Sequence, residues 1–309
     1  MLEYSDFIKK NNKSNLNDLK EKLFSFVITI ISFLCIIVLA FIIFFIIKES
    51  IPILKHIGIY DFVFAKVWRP LAFGVSESYG IFYIILSTIY TAMLSTFISL
   101  FIGIGFSIFL VFAVNDFVRS FSLSLMDLIV AVPSVIYGFI GLVIIVKFFE
   151  YIPMFNMSAG ESVLAASLLL SFMILPFIIS TVTESMMMLK KDYNSASLSL
   201  GIDKWYMVSS LILPNSKNAI LVGFILAVSR ALGETMAVMM VIGNSLVFPR
   251  LLGKGETIAS LIALEIGMAE VKSLHYSALF ASGAILMVTL SIINISVHFL
   301  RKYLLKLEL

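Results

Sequence analysis

The sequence predicts an all-helical integral membrane protein with about six transmembrane helices. Of its 309 residues, 61% are apolar and 13% are charged, whereas soluble proteins average about 45 to 50% apolar and about 25% charged residues. The apolar residues also form long uninterrupted runs, and a helix of about 20 such residues crosses a hydrocarbon core of about 30 Å. Composition and run length therefore favour the same fold class.

Six apolar runs define the predicted spans. They are Leu23–Ile47, Gly80–Val114, Ser122–Val146, Ser162–Met186, Ala219–Ile242 and Ser277–Leu300. The second run is too short for two spans and a turn, so we expect it to tilt or to bend near Gly103 and Gly105. The first run lacks a small-residue cleavage site after it, which predicts an uncleaved anchor.

The spans divide the chain into a small number of regions. These are a basic tail (1–22), an anchor helix (23–47), an external loop (48–79), a transmembrane core (80–300) with a hydrophilic loop (187–218), and a second tail (301–309). Lysine and arginine are concentrated in both tails, and such residues favour the cytoplasmic side. We therefore predict a multi-pass protein of the cytoplasmic (inner) membrane, with both termini in the cytoplasm.

Composition also argues against several functions. The net charge of +3 comes from lysines and arginines scattered among loops and tails, so no nucleic-acid surface is predicted. Cys35 is the single cysteine, and the three histidines have no metal-ligand spacing, so we predict no metal site and no bound cofactor. The string from Gly253 to Thr257 lacks the spacing of an ATP-binding phosphate loop, so the chain is not expected to be an enzyme.

The hydrophilic loop 187–218 has the pattern of a helix, a turn and a second helix. Gly201 suits the left-handed conformation that ends a helix, and Pro214 is expected to stop the second helix. Three small residues precede the turn and would let another surface approach closely: Ser195, Ala196 and Ser197. The loop is thus predicted to form a compact knob on the cytoplasmic face.

The fifth run contains two charged residues, Arg230 and Glu234, near its centre. An arginine at mid-membrane costs about 2.5 to 3.5 kcal/mol, so it should face a protein interior or an aqueous cavity. Residues four apart share a helix face, so Glu234 can neutralise Arg230 while part of the guanidinium stays available to an anion. The pair is a candidate pathway site, with a structural ion pair as the alternative.

The third run contains a proline and two glycines: Pro133, Gly138 and Gly141. Proline permits a kink, and glycine permits close helix contact. Either feature could shape a translocation path or pack a bundle.

Several segments resemble ABC importer permeases. Ser195-Ala196-Ser197, Gly201 and Leu213-Pro214 fall at the spacing of the cytoplasmic signature of these permeases, with Ser195 in place of a glutamate. The string from Ser229 to Val238 (Ser-Arg-Ala-Leu-Gly-Glu-Thr-Met-Ala-Val) is very similar to that of C-type permease subunits of bacterial phosphate importers. The segment from Asp127 to Gly141 is similar to the same family, as are Trp68-Arg-Pro70 and Phe73-Gly74.

This resemblance implies a type I ABC importer permease fold that carries inorganic phosphate. Arg230, Glu234 and Thr235 would then belong to the substrate pathway. The knob would be the coupling helix that sits in a groove of the ATP-hydrolysing subunit, so ATP is used by partner subunits. The implied partners are a sister A-type permease subunit, two ATP-binding subunits, an external phosphate-binding protein and membrane lipid.

Three alternatives stay open at this point. The chain could be a permease for another oxyanion or small solute, a stand-alone secondary transporter or channel in which Arg230 and Glu234 relay ions, or a structural or regulatory membrane subunit. ATP dependence of uptake, and a partner bound to loop 187–218, would separate them.

Overall fold

The computed structural model describes residues 2–70, 77–151 and 160–306. The first four elements are two helices and two short strands: α1 (Leu2–Ile57), α2 (Ile59–Phe64), β1 (Trp68–Arg69) and β2 (Ser78–Tyr79). The two strands pair antiparallel, with Trp68 opposite Tyr79. Helix α1 ends at Ile57, ten residues beyond the predicted anchor Leu23–Ile47, and Ile53 near its end is fully buried. Phe73 and Gly74 lie outside the described residues.

The remaining elements are helical. They are α3 (Phe82–Phe112), α4 (Asp116–Ala131), α5 (Ser134–Ile140), α6 (Lys147–Tyr151), α7 (Val163–Ser199), α8 (Lys204–Tyr206), α9 (Leu213–Asn215), α10 (Lys217–Leu232), α11 (Met236–Val241), α12 (Ile258–Glu265) and α13 (Leu274–Lys306). Two π-helical stretches, Gly141–Val146 and Met207–Ile212, join α5 to α6 and α8 to α9.

The number of spans agrees with the sequence. Five helices of the described ranges are long and apolar enough to cross a membrane: Glu21–Ile57, Phe82–Phe112, Ser134–Tyr151, Val163–Ser199 and Leu274–Ser296. A sixth results if Lys204–Asn215 and Lys217–Leu232, which meet at an angle of 58°, cross as one broken span. The predicted all-helical membrane protein with about six spans is confirmed.

The third span differs from the prediction. The expected helix Ser122–Val146 is interrupted at Val132 and Pro133, so α4 is a separate helix and the span runs over Ser134–Tyr151. Proline lacks the N–H that a continuous helix needs and disfavours helical geometry in the residue before it, and Val132 is extended here. The Tyr137 hydroxyl donates to the Ile129 carbonyl at 2.7 Å and holds the two helices together across the break.

The fifth span is also interrupted. The expected helix Ala219–Ile242 ends at Leu232 and resumes at Met236. Gly233 is a poor helix former, and the Glu234 carboxylate accepts a hydrogen bond from the Ala237 N–H at 3.5 Å, as a cap at the start of α11 does. Arg230 and Glu234 therefore lie on either side of a helix end rather than on one continuous helix.

Two buried cores hold these elements together. The larger lies among α3, α5, α7, α10 and α11, and the smaller joins the end of α1, α2, the hairpin, α12 and α13. Helices α3 and α7 approach closely because Gly103 has no side chain: a Cβ there would lie 2.7 Å from Ile178 Cγ2. The Ser99 hydroxyl also donates to the Ser171 carbonyl at 2.5 Å. Small residues and interhelical hydrogen bonds are typical of packing within membranes.

Candidate functional site

The break between α10 and α11 brings Arg230 and Glu234 together. Their closest atoms, Arg230 Nη2 and Glu234 Oε2, are 3.6 Å apart, which makes an ion pair longer than a hydrogen bond. The Glu234 side chain is 5% exposed, whereas that of Arg230 is 49% exposed. A guanidinium has five N–H donors, so this pairing leaves donors on Arg230 for an anion that reaches its exposed side.

Thr235 completes the break. It is half-buried, and its hydroxyl donates to the Gly233 carbonyl at 3.3 Å. Arg230 and Glu234 thus meet across the break, and Thr235 follows Glu234 in the chain with its hydroxyl bonded to the backbone of the break.

Pro133, Gly138 and Gly141 lie on the element that packs against this break. A Cβ on Gly138 would lie 3.1 Å from Ala237 Cα, and one on Gly141 would lie 2.9 Å from Val241 Cγ1. Both glycines therefore let α5 and the π-helical stretch touch α11 directly. Pro133 stands at the start of α5, where the chain turns from α4.

The predicted coupling residues lie apart from this break, on three successive stretches of the chain: the end of α7 (Ser195, Ala196 and Ser197), the turn at Gly201, and α9 (Leu213 and Pro214). Gly201 has φ of +65° with open space around it, so the chain reverses there without a steric obstacle. The Ile202 N–H donates to the Ser197 carbonyl at 2.9 Å, and Asp203 caps α8 by accepting from the Trp205 N–H at 2.8 Å. These local hydrogen bonds stabilise the turn and the start of α8.

The surface of this turn is apolar. Ser195 and Ala196 are exposed while Ser197 is buried, and large apolar side chains project around them: Leu198, Leu200, Trp205 and Tyr206. Leu213 is half-buried and Pro214 is exposed; the helix ends one residue later, at Asn215. An exposed apolar patch of this kind marks an interaction surface.

Sequence reasoning missed two groups of polar contacts, one beside Arg230 and one in the region of the smaller core. The Ser229 hydroxyl donates to Asn294 Oδ1 at 2.8 Å, which ties α10 to α13 beside Arg230. Trp68 Nε1 donates to Glu265 at 3.0 Å, and His275 Nε2 lies 2.8 Å from the same carboxylate. An isolated polar residue within an apolar run, such as Asn294, is the signal that could have found the first contact. No spacing rule finds partners so far apart in sequence.

Two side chains in the region of the smaller core, Glu256 and Tyr79, have raised pKa values. Burial, with a further contribution from the Glu265 charge, raises the pKa of Glu256 to about 7. Burial and the hydrogen bond to Glu77 raise the pKa of the Tyr79 hydroxyl above its ordinary value. Glu256 is therefore more often neutral near neutral pH than an ordinary glutamate, and the Tyr79 hydroxyl stays protonated.

Comparison with solved structures supports the fold. The chain is similar to the inward-facing MetNI methionine ABC transporter, with a TM-score of 0.52 at 16% identity, over 72% of this chain and 92% of that chain. At this level of identity the likeness concerns the fold alone. It agrees with the predicted type I importer permease fold.

Comparison with known sequences identifies the family. The chain is 32% identical to the probable phosphate transport system permease protein PstC of Methanocaldococcus jannaschii over 275 residues, which is 82% of this chain and 85% of that protein. It is 31% identical to PstC of Haemophilus influenzae, over 89% of this chain and 91% of that protein. Residues 99–306 match the model of the binding-protein-dependent transport system inner membrane component. The chain therefore belongs to this family of inner membrane transport permeases.

Proposed function

We propose that this chain is the permease subunit of an ATP-driven importer of inorganic phosphate. The single observation that carries the proposal is the half-exposed Arg230 guanidinium, held by a buried carboxylate at a helix break within the bundle. The relatives named as phosphate permeases align over most of the chain and support the same substrate.

The chemistry of the pair suits phosphate. The planar guanidinium matches two phosphate oxygens at once. Glu234 compensates the arginine charge in the absence of substrate, and a compensated site binds an anion weakly enough to release it. Because the ion pair is 3.6 Å long, it can rearrange without breaking a strong hydrogen bond.

The proposed complex contains four partner polypeptides of three kinds. A sister A-type permease subunit forms the other half of the pathway, two ATP-binding subunits dock on the turn around Gly201, and an external phosphate-binding protein delivers substrate. In this arrangement both termini of the chain are cytoplasmic, the chain binds no cofactor, and ATP is hydrolysed by the partners. The apolar side chains exposed around the turn support a docking role.

The test is uptake of radiolabelled phosphate into vesicles that contain the chain with these four partners. We expect uptake that stops when ATP is omitted and that excess sulfate or molybdate does not reduce. Uptake without ATP would instead indicate a secondary transporter or channel. Equal inhibition by unlabelled phosphate and by sulfate or molybdate would indicate a different oxyanion as substrate.

A further inference from the structure

Two lysines converge on the C-terminal end of α3. Lys190, on α7, donates to the Val111 carbonyl at 2.6 Å. Lys204, the first residue of α8, donates to the Phe112 carbonyl at 2.5 Å. Val111 and Phe112 are the last two residues of α3, so both ammonium groups bind carbonyls that the helix itself leaves without partners.

The helix end explains why cations are accepted here. The last carbonyls of a helix carry partial negative charge, and a lysine near them is stabilised. The Lys190 ammonium also lies 5.1 Å from the centre of the Phe112 ring, within the range of a cation–π contact. Lys190 is thus held by a carbonyl and an aromatic ring, and Lys204 by the terminal carbonyl of α3.

The cluster nevertheless contains mutual repulsion. Arg119 and Lys204 both lie close enough to Lys190 for their charges to act on it, and Asp116, which pairs with Arg119, is the nearby carboxylate. Three cations around one helix end are not the arrangement that stability alone favours, because like charges repel. The placement of the two lysines suggests a mechanical role.

That role follows from where the lysines sit along the chain. The exposed turn is the chain reversal at Gly201. Lys190 lies before it on α7 and Lys204 lies after it on α8, so α3 is tied to the chain on both sides of the turn. Helices α3 and α7 are already joined at Gly103 and at Ser99. Just beyond, at Ser216, the chain bends by 58° into α10, the helix that carries Arg230.

We propose that Lys190 and Lys204 are positioning residues that clamp the exposed turn to α3. A displacement of the turn then moves α3 and α7 as one body, and the bend at Ser216 is where this motion reaches α10. The proposal rests on the proposed function for the ATP-binding subunits that displace the turn, but not on the identity of the substrate.

The clamp is tested by measuring whether the turn and α3 move together. Spin labels are placed at Phe101→Cys on α3 and Leu200→Cys in the turn, both exposed positions, with Cys35→Ala to remove the native cysteine. Pulsed electron paramagnetic resonance then gives the label separation in the complete transporter, without nucleotide and with ADP and vanadate. We expect the same separation in both states, and two different separations once Lys190→Met and Lys204→Met are combined.

A second readout separates positioning from stability. We expect the double methionine variant to assemble and to hydrolyse ATP, but to transport about tenfold less substrate per ATP, a typical size for coupling between sites. Lys190→Arg with Lys204→Arg should restore the ratio, because arginine also donates to carbonyls. Lys191→Met, at the exposed neighbouring residue, is the matched control and should behave like the unchanged chain.

Three results would overturn the clamp. The first is a label separation that already differs between the two states of the unchanged transporter. The second is a label separation that stays constant in the double methionine variant. The third is a Lys191→Met variant that lowers the substrate transported per ATP as much as the double methionine variant does. The label separation is read without any transported substrate. A failure of phosphate uptake would therefore refute the proposed substrate while leaving the clamp testable, and the reverse also holds.

Discussion

At the scale of single residues, Glu234 stabilises two neighbours at once. Its carboxylate accepts from the Ala237 N–H at the start of α11 and lies 3.6 Å from the Arg230 guanidinium. A buried carboxylate that lost both partners would cost several kcal/mol. The unequal exposure of the pair supports a division of roles in the proposed pathway: Glu234 would hold the break together, and Arg230 would meet the anion.

Glu234→Gln tests this division. Glutamine keeps an oxygen that can cap α11 but removes the charge that compensates Arg230, so we expect normal assembly and phosphate uptake reduced about tenfold or more. The measurements are uptake and size-exclusion chromatography of the complex. Glu161→Gln, which removes the partner of Lys254 in a separate ion pair, should leave uptake near the original rate. Equal uptake by both variants would make the Arg230 pair merely structural.

Glu256 gives the stability of the chain a pH dependence. Burial raises its pKa to about 7, above the ordinary value of 4.5, so the ionised form is disfavoured in the folded state. The contribution of Glu256 to the free energy of unfolding is therefore highest below about pH 4.5, falls as the pH rises towards about 7, and stays lower above it.

The prediction concerns Glu256→Gln, which is neutral at every pH. Between about pH 5 and about pH 8, we expect the Tm of the original chain to fall more than the Tm of this variant. Thermal unfolding of the purified chain measures both. An identical fall in the two proteins would mean that Glu256 does not titrate in this range.

At the scale of elements, the site depends on helices that stop early. The extended Val132 before Pro133 frees α5 from α4, and the interruption after Leu232 frees α11 from α10. Because α5 and α11 then pack through Gly138 and Gly141, the break that holds Arg230 is supported from one side by direct helix contact.

Gly138→Leu should disrupt that contact. A Cβ alone would lie 3.1 Å from Ala237 Cα, and the rest of the side chain would push α11 away, at a cost of about 1 to 3 kcal/mol or more. We expect a lower Tm and reduced uptake. Gly105→Leu is the matched control, because no atom of the described residues lies within 4 Å of a Cβ there; its Tm should be equal or higher. A Gly138→Leu variant as stable as the control would contradict the packing.

Gly201 sets the shape of the exposed turn. Its φ of +65° costs a residue with a side chain about 1 to 2 kcal/mol, and a β-branched residue more, whereas asparagine tolerates it. We expect Gly201→Val to reduce co-purification of the ATP-binding subunits and Gly201→Asn to retain it. Because the surroundings of Gly201 are open, a change reflects the backbone rather than a clash. Full co-purification with valine would exclude the turn as the docking surface.

At the scale of the whole molecule, the sequence predicted the fold class and the spans, because long apolar runs have few other uses. It allowed a kink at Pro133 but still expected one continuous third span, and it expected an unbroken helix through Gly233, because apolar runs lie on both sides of each interruption. The Arg230 pair was predicted from a shared helix face, and the two side chains meet in the structure although the helix ends between them. The contact between Lys204 and Phe112 joins residues 92 apart, and no local pattern indicates such a pairing.

Substitution of Arg230 gives the most direct test of the proposed phosphate transport. The measurement is ATP-dependent phosphate uptake by the complete transporter with Arg230→Gln, beside Arg250→Gln as a control at an exposed arginine outside the break. We predict that Arg230→Gln abolishes uptake while assembly and ATP hydrolysis persist, and that Arg250→Gln transports normally. Uptake that survives in Arg230→Gln at the rate of the control would contradict a phosphate pathway through this site.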